Sequence, residues 1–448
     1  MFCGNYILSN RSKWTFYFSK VFNLILQSAK NKDYRRFSIA SFLSGTGDVL
    51  FYLAFMTYAS KLHNYSLALS LIAISESIPR LFEIFAGYLA DKTRNKFKNI
   101  FLMAVVRFVL YAIVGILFVA KVSDWNLVIA VVVINFFSDT FGSYSGGLVA
   151  PLVADIVGKK DFGEAEGFTS GVSEIINMVA QFVGSGLLLF MSYSNLAFIN
   201  AFTFLAAGLL YASVGLKHKK DGQSLEPQEV NEQKFFATMK SSFTQAKKAH
   251  GLLTIMVIVG LLNGVLGAMS ALIPIVMAGH KSTMLIGNYS FTMAVMGVLV
   301  SCGAALGSMF GQQLFRNVSA FTMTIIAGAL SFLTTLSTLS AHIYAVLPFF
   351  FLLAATASIS SIKLTQWLVN TVEHKILAST VGLLNTFAIA SSPVMTTIFT
   401  TVSGMSDVRY ALILLLVVEA TVLFVTIKMS VKVKKADTKA KAAAVVSE

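Results

Sequence analysis

The chain has 448 residues, 56% of them hydrophobic and only 12% charged, with a mean hydropathy of +0.73 and a formal net charge of +14. A soluble globule of this size has too little polar surface to cover so much apolar matter, so the composition excludes a water-soluble domain and points to a polytopic α-helical membrane protein. Two cysteines, Cys3 and Cys302, exclude a disulfide framework and a cysteine metal cluster.

In residues 1–37 the apolar stretches are short and broken by Arg11, Lys13, Lys20 and Lys30, with no small-residue cleavage site, so a signal peptide is not expected. Trp14, Phe16, Tyr17 and Phe18 beside lysines suit a cytoplasmic segment lying on the inner membrane surface, or else a loose basic tail. Twelve spans are predicted at 38–59, 66–89, 99–120, 126–149, 167–191, 196–216, 252–278, 285–310, 318–340, 343–367, 377–402 and 409–429.

Span one holds "SFLSGTGDVLFYLAF", with Asp48 near its midpoint. A carboxylate at that depth is costly and needs a reason. Gly45 and Gly47 remove side chains close to it, opening space for a neighbour or water, and the acid suits the loading and release of a proton. Gly45-Thr46-Gly47-Asp48 also spells the GxGD signature of intramembrane aspartyl proteases. That chemistry needs two facing aspartates with a water between them, and the protease family carries a Tyr-Asp pair on the preceding span. Here the motif lies on the first span, which leaves the protease as a remote alternative.

In span two Glu76, Arg80, Glu83, Gly87 and Asp91 follow steps of four, three, four and four, a stripe about 80° wide on one helix. Glu76 and Glu83 can each reach Arg80 along it. The cluster either locks helices together or shares a surplus proton among its carboxylates. Arg107 in span three is expected to snorkel or pair with a neighbour rather than bind substrate. Asp139 in span four stands among Ser138, Thr140, Ser143, Tyr144 and Ser145, a polar lining suited to a water-filled cavity. Glu174 in span five is shallower and wettable from the cytoplasm, with a structural and a functional role equally open.

Residues 217–250, rich in Lys, Gln and Glu and carrying Pro227, read as a cytoplasmic linker with a membrane-lying helix around 235–248. They divide the chain into six-helix bundles at 38–216 and 251–430, followed by a basic cytoplasmic tail at 431–448. Six plus six suggests parallel repeats about an axis along the membrane normal. Weak internal similarity agrees: "GYLADKTRNKFKN" follows span two and "GSMFGQQLFRNVS" follows span eight. In the second half Asn263 and Gly264 in span seven, Gln366 in span ten and Asn385 in span eleven are candidate walls of a substrate cavity, and 38 Phe and 17 Met suit a greasy, adaptable one. Glu419 in span twelve reads as a neutral structural acid. Asp48, Glu76, Glu83, Asp139 and Glu174 all lie in the first half, so that half is expected to handle ions.

Counted by alternate sides, 29 of the 35 Lys and Arg fall on the side holding both termini, and only Lys61, Lys121, Lys281 and Arg409 on the other. This is the positive-inside signal; it places both termini in the cytoplasm and accounts for the net charge without a nucleic-acid partner. The six histidines all lie in loops or at span ends, which argues against haem, histidine metal sites and Ser-His catalysis within the membrane. No GxSxG, HExxH or phosphate-cradling Gly-Lys loop occurs, so neither an enzyme nor a cofactor is expected, and uphill movement must draw on an ion gradient or a partner.

"GYLADKTRNK", Gly87 to Lys96, resembles the loop motif of the major facilitator superfamily through Gly87, Leu89, Asp91, Lys92 and Lys96; Arg94 and Asn95 replace the family's second glycine and following basic residue. The resemblance implies twelve helices in two bundles and a conformational latch at Gly87, Leu89, Asp91, Lys92, Arg94 and Lys96 that joins the halves on the cytoplasmic side in the outward-open state. "SIPRLFEIFAGYLADK" and "APLVADIV…EAEGFTSGVSEIINMVAQFVGSGLLL" look like the branch of macrolide, drug and siderophore exporters, although span five lacks the Pro-bearing antiporter motif and span four the buried Arg of many proton-coupled members.

The expectation is a monomeric, multi-pass transporter of a cell membrane that exports an amphipathic small molecule in exchange for protons by alternating access. Asp48, Glu76, Arg80, Glu83 and Asp139 are the candidate proton-coupling residues. The alternatives are a proton-linked uptake symporter and a lysophospholipid flippase.

Overall fold

The computed structural model describes residues 31–120, 122–158, 161–220, 252–371 and 374–446. The N-terminal 30 residues and the expected membrane-lying helix around 235–248 lie outside them. The described chain is nearly all helix. The first half is built of α1 (Lys32–Ala59), α2 (Tyr65–Ser77), α3 (Pro79–Lys92), α4 (Lys96–Val119), α5 (Asp124–Val157), α6 (Phe162–Leu187) and α7 (Tyr193–Lys220). The second is built of α8 (Leu252–Gly279), the short α9 (Lys281–Met284), α10 (Tyr289–Leu314), α11 (Ala320–Leu339), α12 (Ile343–Thr371), α13 (His374–Met405) and α14 (Val408–Val446). Among the described residues, nine helices are long and apolar enough to cross a bilayer.

Several boundaries differ from the expectation. Span two is not one helix but α2 and α3, parted at Ile78 immediately before Pro79. A proline has no N–H to give to the preceding turn, and its ring crowds the carbonyl four residues back, so the helix restarts there. The last span continues to Val446 and α5 runs on to Val157, because the hydrogen-bonded ladder does not stop where the apolar run does.

The packing repeats. In the first half α4 packs on α5 and α7, α3 on α5, and α1 on α6; in the second α11 packs on α12 and α14, α10 on α12, and α8 on α13. Between the halves α2 meets α13 and α10 meets α6, the same pairing with the roles exchanged. Two related bundles facing each other across a shared axis produce this pattern.

The halves are sealed on the side away from the termini. There the Ser66 hydroxyl donates to the Ser403 carbonyl at 2.8 Å, Ser185 donates to Ser290 at 3.4 Å, and Gly404 lies against Leu67 and Ser70. Beneath these contacts a shared apolar core joins Phe55, Leu69 and Ile72 to Leu272, Ile273 and Val276. Toward the terminal side the bundles part: a side chain placed at Gly146, Gly167 or Gly171 would meet nothing within 4 Å. At that end the first bundle is knitted to itself. Asn31 caps α1 through the N–H groups of Asp33 and Tyr34, Asp33 pairs with Lys217 at 2.7 Å, and the Tyr34 hydroxyl donates to the Ala165 carbonyl at 2.7 Å. The structure is a V closed at the far side and open at the terminal side.

Candidate functional site

The opening between the halves contains a cavity of about 940 Å3 whose walls come almost entirely from the first bundle. Asp48 on α1, Glu76 on α2, Glu83 on α3 and Asp139 on α5 all line it, facing Arg80 and Arg107. Four carboxyls against two guanidinium groups give it an acidic balance.

At its centre is Arg107, buried to 8% exposure despite its charge. Its Nη2 donates to both Asp48 oxygens at 3.1 and 3.2 Å, its Nε to Ser138 at 2.9 Å and its Nη1 to Ser44 at 3.4 Å. Asp139 Oδ1 stands 3.8 Å from the same Nη2. The guanidinium lies 3.7 Å from the ring centroid of Phe204 on α7, which covers its face. Space for it comes from Gly142, where a Cβ would lie 3.3 Å from Arg107 Cζ. Ser138, Asp139 and Gly142 reach one side chain together because steps of three and four residues share a helix face.

A second group of bonds continues the network. Asn135, one turn before Asp139, donates from Nδ2 to Glu76 Oε1 at 2.7 Å and to Asp139 Oδ2 at 3.2 Å, while its Oδ1 accepts from the Tyr111 hydroxyl at 2.5 Å. Asp48, Arg107, Asp139, Asn135 and Glu76 thus form one chain of contacts through α1, α4, α5 and α2. Three carboxyls share one cation and one amide.

Other predicted residues are placed differently. Glu76 does not pair with Arg80 along a common helix: the break at Ile78 interrupts the register, and Glu76 turns to Asn135 instead. Arg80 and Glu83 are both exposed to the cavity, and among the described residues Arg80 forms no ion pair with either glutamate. Of the two courses expected for Arg107, it takes the second: it does not snorkel but pairs with a neighbour, Asp48, as the inward-facing hub. Asp48 points into the cavity, and Gly47 makes its room for a neighbour, since a side chain there would strike Thr203 and Asn200 of α7.

In the loop motif Leu89, Lys92 and Arg94 are exposed, Lys96 Nζ donates to the Thr93 carbonyl at 3.2 Å, and Thr93 and Tyr144 share a hydroxyl bond of 2.9 Å that ties the loop to α5. The side chains of Gly87 and Asp91 lie outside the described residues. Glu174 accepts from Ser301 across the two halves. Glu419 accepts from Ser331 at 2.7 Å and Thr335 at 2.9 Å.

Of the candidate substrate residues, Asn263 lines a separate cavity of about 390 Å3 inside the second bundle. Gly264 instead allows α13 to approach, with Met395 and the Ser391 backbone against it, and Gln366 and Asn385 are exposed and outside that cavity's wall. Sequence reasoning passed over Asn135 and Tyr111. The one available signal was spacing: each stands four residues from a charged residue, Asn135 from Asp139 and Tyr111 from Arg107. Among the described residues no three His, Cys, Asp or Glu side chains converge as a metal site.

A search among curated proteins finds no sequence match. Solved structures share the architecture. A mutant form of the nucleoside transporter NupG superposes with a TM-score of 0.66 at 13% identity, covering 88% of this chain and 98% of its own. A bacterial homologue of the iron transporter ferroportin, in its inward-facing state, gives 0.66 at 12% identity over 88% and 98%. An auto-inhibited POT-family peptide transporter gives 0.64 at 10% identity over 90% and 97%. At these identities the likeness is one of fold. The family model of the Major Facilitator Superfamily matches residues 37–397. With that span matched and the paired bundles in place, this chain belongs to the major facilitator superfamily, a family of membrane transporters rather than enzymes.

Proposed function

We propose that this transporter exports an amphipathic small molecule in exchange for protons, with Asp48 as the main proton carrier and Arg107 as the charge it trades. The observation that supports the reading is the buried Arg107 held between Asp48 and Asp139 on the wall of a central cavity. An acid in contact with both the cavity and a buried cation senses its own protonation through the loss of an ion pair.

The excess of Lys and Arg on the terminal side orients both termini to the cytoplasm, so the cavity described above opens inward. In the cycle an external proton neutralises Asp48 and favours the outward-to-inward rearrangement. Release of that proton to the cytoplasm restores the Asp48–Arg107 pair as cargo loads, and the bundles rock back. Glu76 and Asp139 extend the acid site through Asn135, and Arg80 and Glu83 set the charge of the mouth.

The test is flux in vesicles holding the purified protein under an imposed pH gradient. Gradient-driven export of amphipathic dyes, abolished by Asp48→Asn while the folded protein persists, is the expected result. Undiminished export by Asp48→Asn overturns the role of Asp48, and accumulation of a polar solute down the proton gradient overturns the direction.

A further inference from the structure

The second bundle contains the counterpart of the charged cavity, and its chemistry is inverted. In helix order α8, α10, α11 and α12 correspond to α1, α2–α3, α4 and α5, and these four line the cavity of about 390 Å3. Arg107 lies eleven residues beyond the start of α4, and Ser331 eleven beyond the start of α11. Phe204 and Glu419 likewise lie eleven residues into α7 and α14. Where the first bundle sets a buried cation against an aromatic ring, the second sets a hydroxyl against a buried acid.

The wall of this cavity is mostly apolar, with Leu262, Leu266, Phe350 and Leu353; it also carries Ser358, Ser360 and Ser361, and three polar groups, Asn263, Ser270 and Ser331, that each donate to a backbone carbonyl or to Glu419. Asn263 Nδ2 donates to the Val259 carbonyl at 2.9 Å, leaving its Oδ1 as an acceptor. Ser270 donates to the Leu266 carbonyl at 2.9 Å, and Ser331 donates to Glu419 Oε1 at 2.7 Å. Each hydroxyl that has spent its proton can only accept on its other side.

Behind Ser331, Glu419 is 3% exposed. Its Oε1 takes bonds from both Ser331 and Thr335, while its Oε2 is buried with no hydrogen-bond partner, and among the described residues no cation pairs with it. A greasy pocket that offers acceptors, backed by a carboxyl without a counter-charge, complements a ligand with an apolar body and a cationic N–H donor.

We propose that the cavity bounded by α8, α10, α11 and α12 binds a protonated hydrophobic amine, held by Asn263, Ser270 and Ser331 with Glu419 as the charge behind them. The amine is the cargo; that part rests on the transporter reading, and the binding itself does not. Neither Gln366 nor Asn385 takes part in this site.

The test uses the full chain in lipid nanodiscs and calorimetry with three matched probes: 4-phenylbutylamine, 4-phenyl-1-butanol and 4-phenylbutyrate. The amine binds, the alcohol binds about tenfold more weakly, since a hydrogen bond to a charged group outweighs a neutral one, and the carboxylate binds weakest. Glu419→Gln reduces amine affinity by about tenfold and leaves the alcohol unchanged. Ala357→Phe, which adds a ring to the cavity wall from α12, removes binding of both. Equal affinity for amine and carboxylate overturns the proposal. So does amine binding that survives both variants and disappears in Asp48→Asn, because the charged cavity is then the amine site. Amine binding without gradient-driven amine flux upholds the site and overturns its role in transport, whereas export of other compounds by a protein that binds no amine overturns the site alone.

Discussion

Replacing Arg107 by Met tests whether the network holds the first bundle together. Methionine keeps most of the side-chain volume and its contact with Phe204, but removes every bond Arg107 makes to Asp48, Ser138 and Ser44. Breaking a buried ion pair by deleting one partner costs about 3–5 kcal/mol, because the abandoned charge remains buried. Asp48 and Asp139 retain 37% and 21% of their side-chain exposure through the cavity, so water softens the loss toward about 3 kcal/mol. Asp48→Asn added to Arg107→Met removes one stranded acid and restores about half of that loss, whereas Asp48→Asn alone leaves Arg107 its contact with Asp139. Denaturant unfolding in detergent micelles, followed by far-ultraviolet circular dichroism, reads all three variants and the parent in one cycle. If Arg107→Met unfolds within about 0.5 kcal/mol of the parent, in the range of an ordinary surface change, the hub role is wrong.

Asn135→Leu leaves Glu76 and Asp139 without their shared donor and Tyr111 without its acceptor; a stability loss of about 2 kcal/mol is expected in the same assay, and a neutral result contradicts the bridge. Gly47→Ala forces a methyl into Thr203 and Asn200, costing about 1–3 kcal/mol, and Thr203→Ala is expected to relieve part of it in the double variant, the Asn200 contact remaining. Ser66→Cys with Ser403→Cys, in a background without Cys3 and Cys302, brings together two positions whose hydroxyl oxygens stand 3.2 Å apart. Oxidation should trap the far side closed and stop vesicle flux until a reductant is added. Flux that continues through complete cross-linking contradicts rocking of the halves.

Much of the architecture was legible because hydropathy and charge asymmetry are set residue by residue, and a bilayer punishes any mistake in either. The stripe through Glu76, Arg80 and Glu83 shows where that legibility ended. It assumed one continuous helix, and Pro79 breaks it; a helical wheel cannot register a restart that alters the phase of everything after it. The acids themselves were visible, since Asp48 and Asp139 stand out in apolar runs. Their partner was not. Arg107 is 59 positions from Asp48 in the chain, and the packing of α1 and α4 against their shared neighbours α5 and α7 brings the two together. Asn135 and Tyr111 are ordinary residues in sequence and become bridges only through that same packing. In the second bundle Glu419 was visible as a buried acid, but the hydroxyls that hold it belong to a different helix, α11, and were not.

The central claim is that neutralising Asp48 tips the two bundles toward the form open on the terminal side. Spin labels at Asn95 and Asn317, exposed positions in the equivalent loops of the two halves, measure the separation of the bundles there directly by pulsed electron paramagnetic resonance. With Cys3 and Cys302 replaced, the parent should show a short and a long distance, and Asp48→Asn should collapse the distribution onto the long one. An unchanged distribution in Asp48→Asn, or a shift to the short distance, would contradict the account.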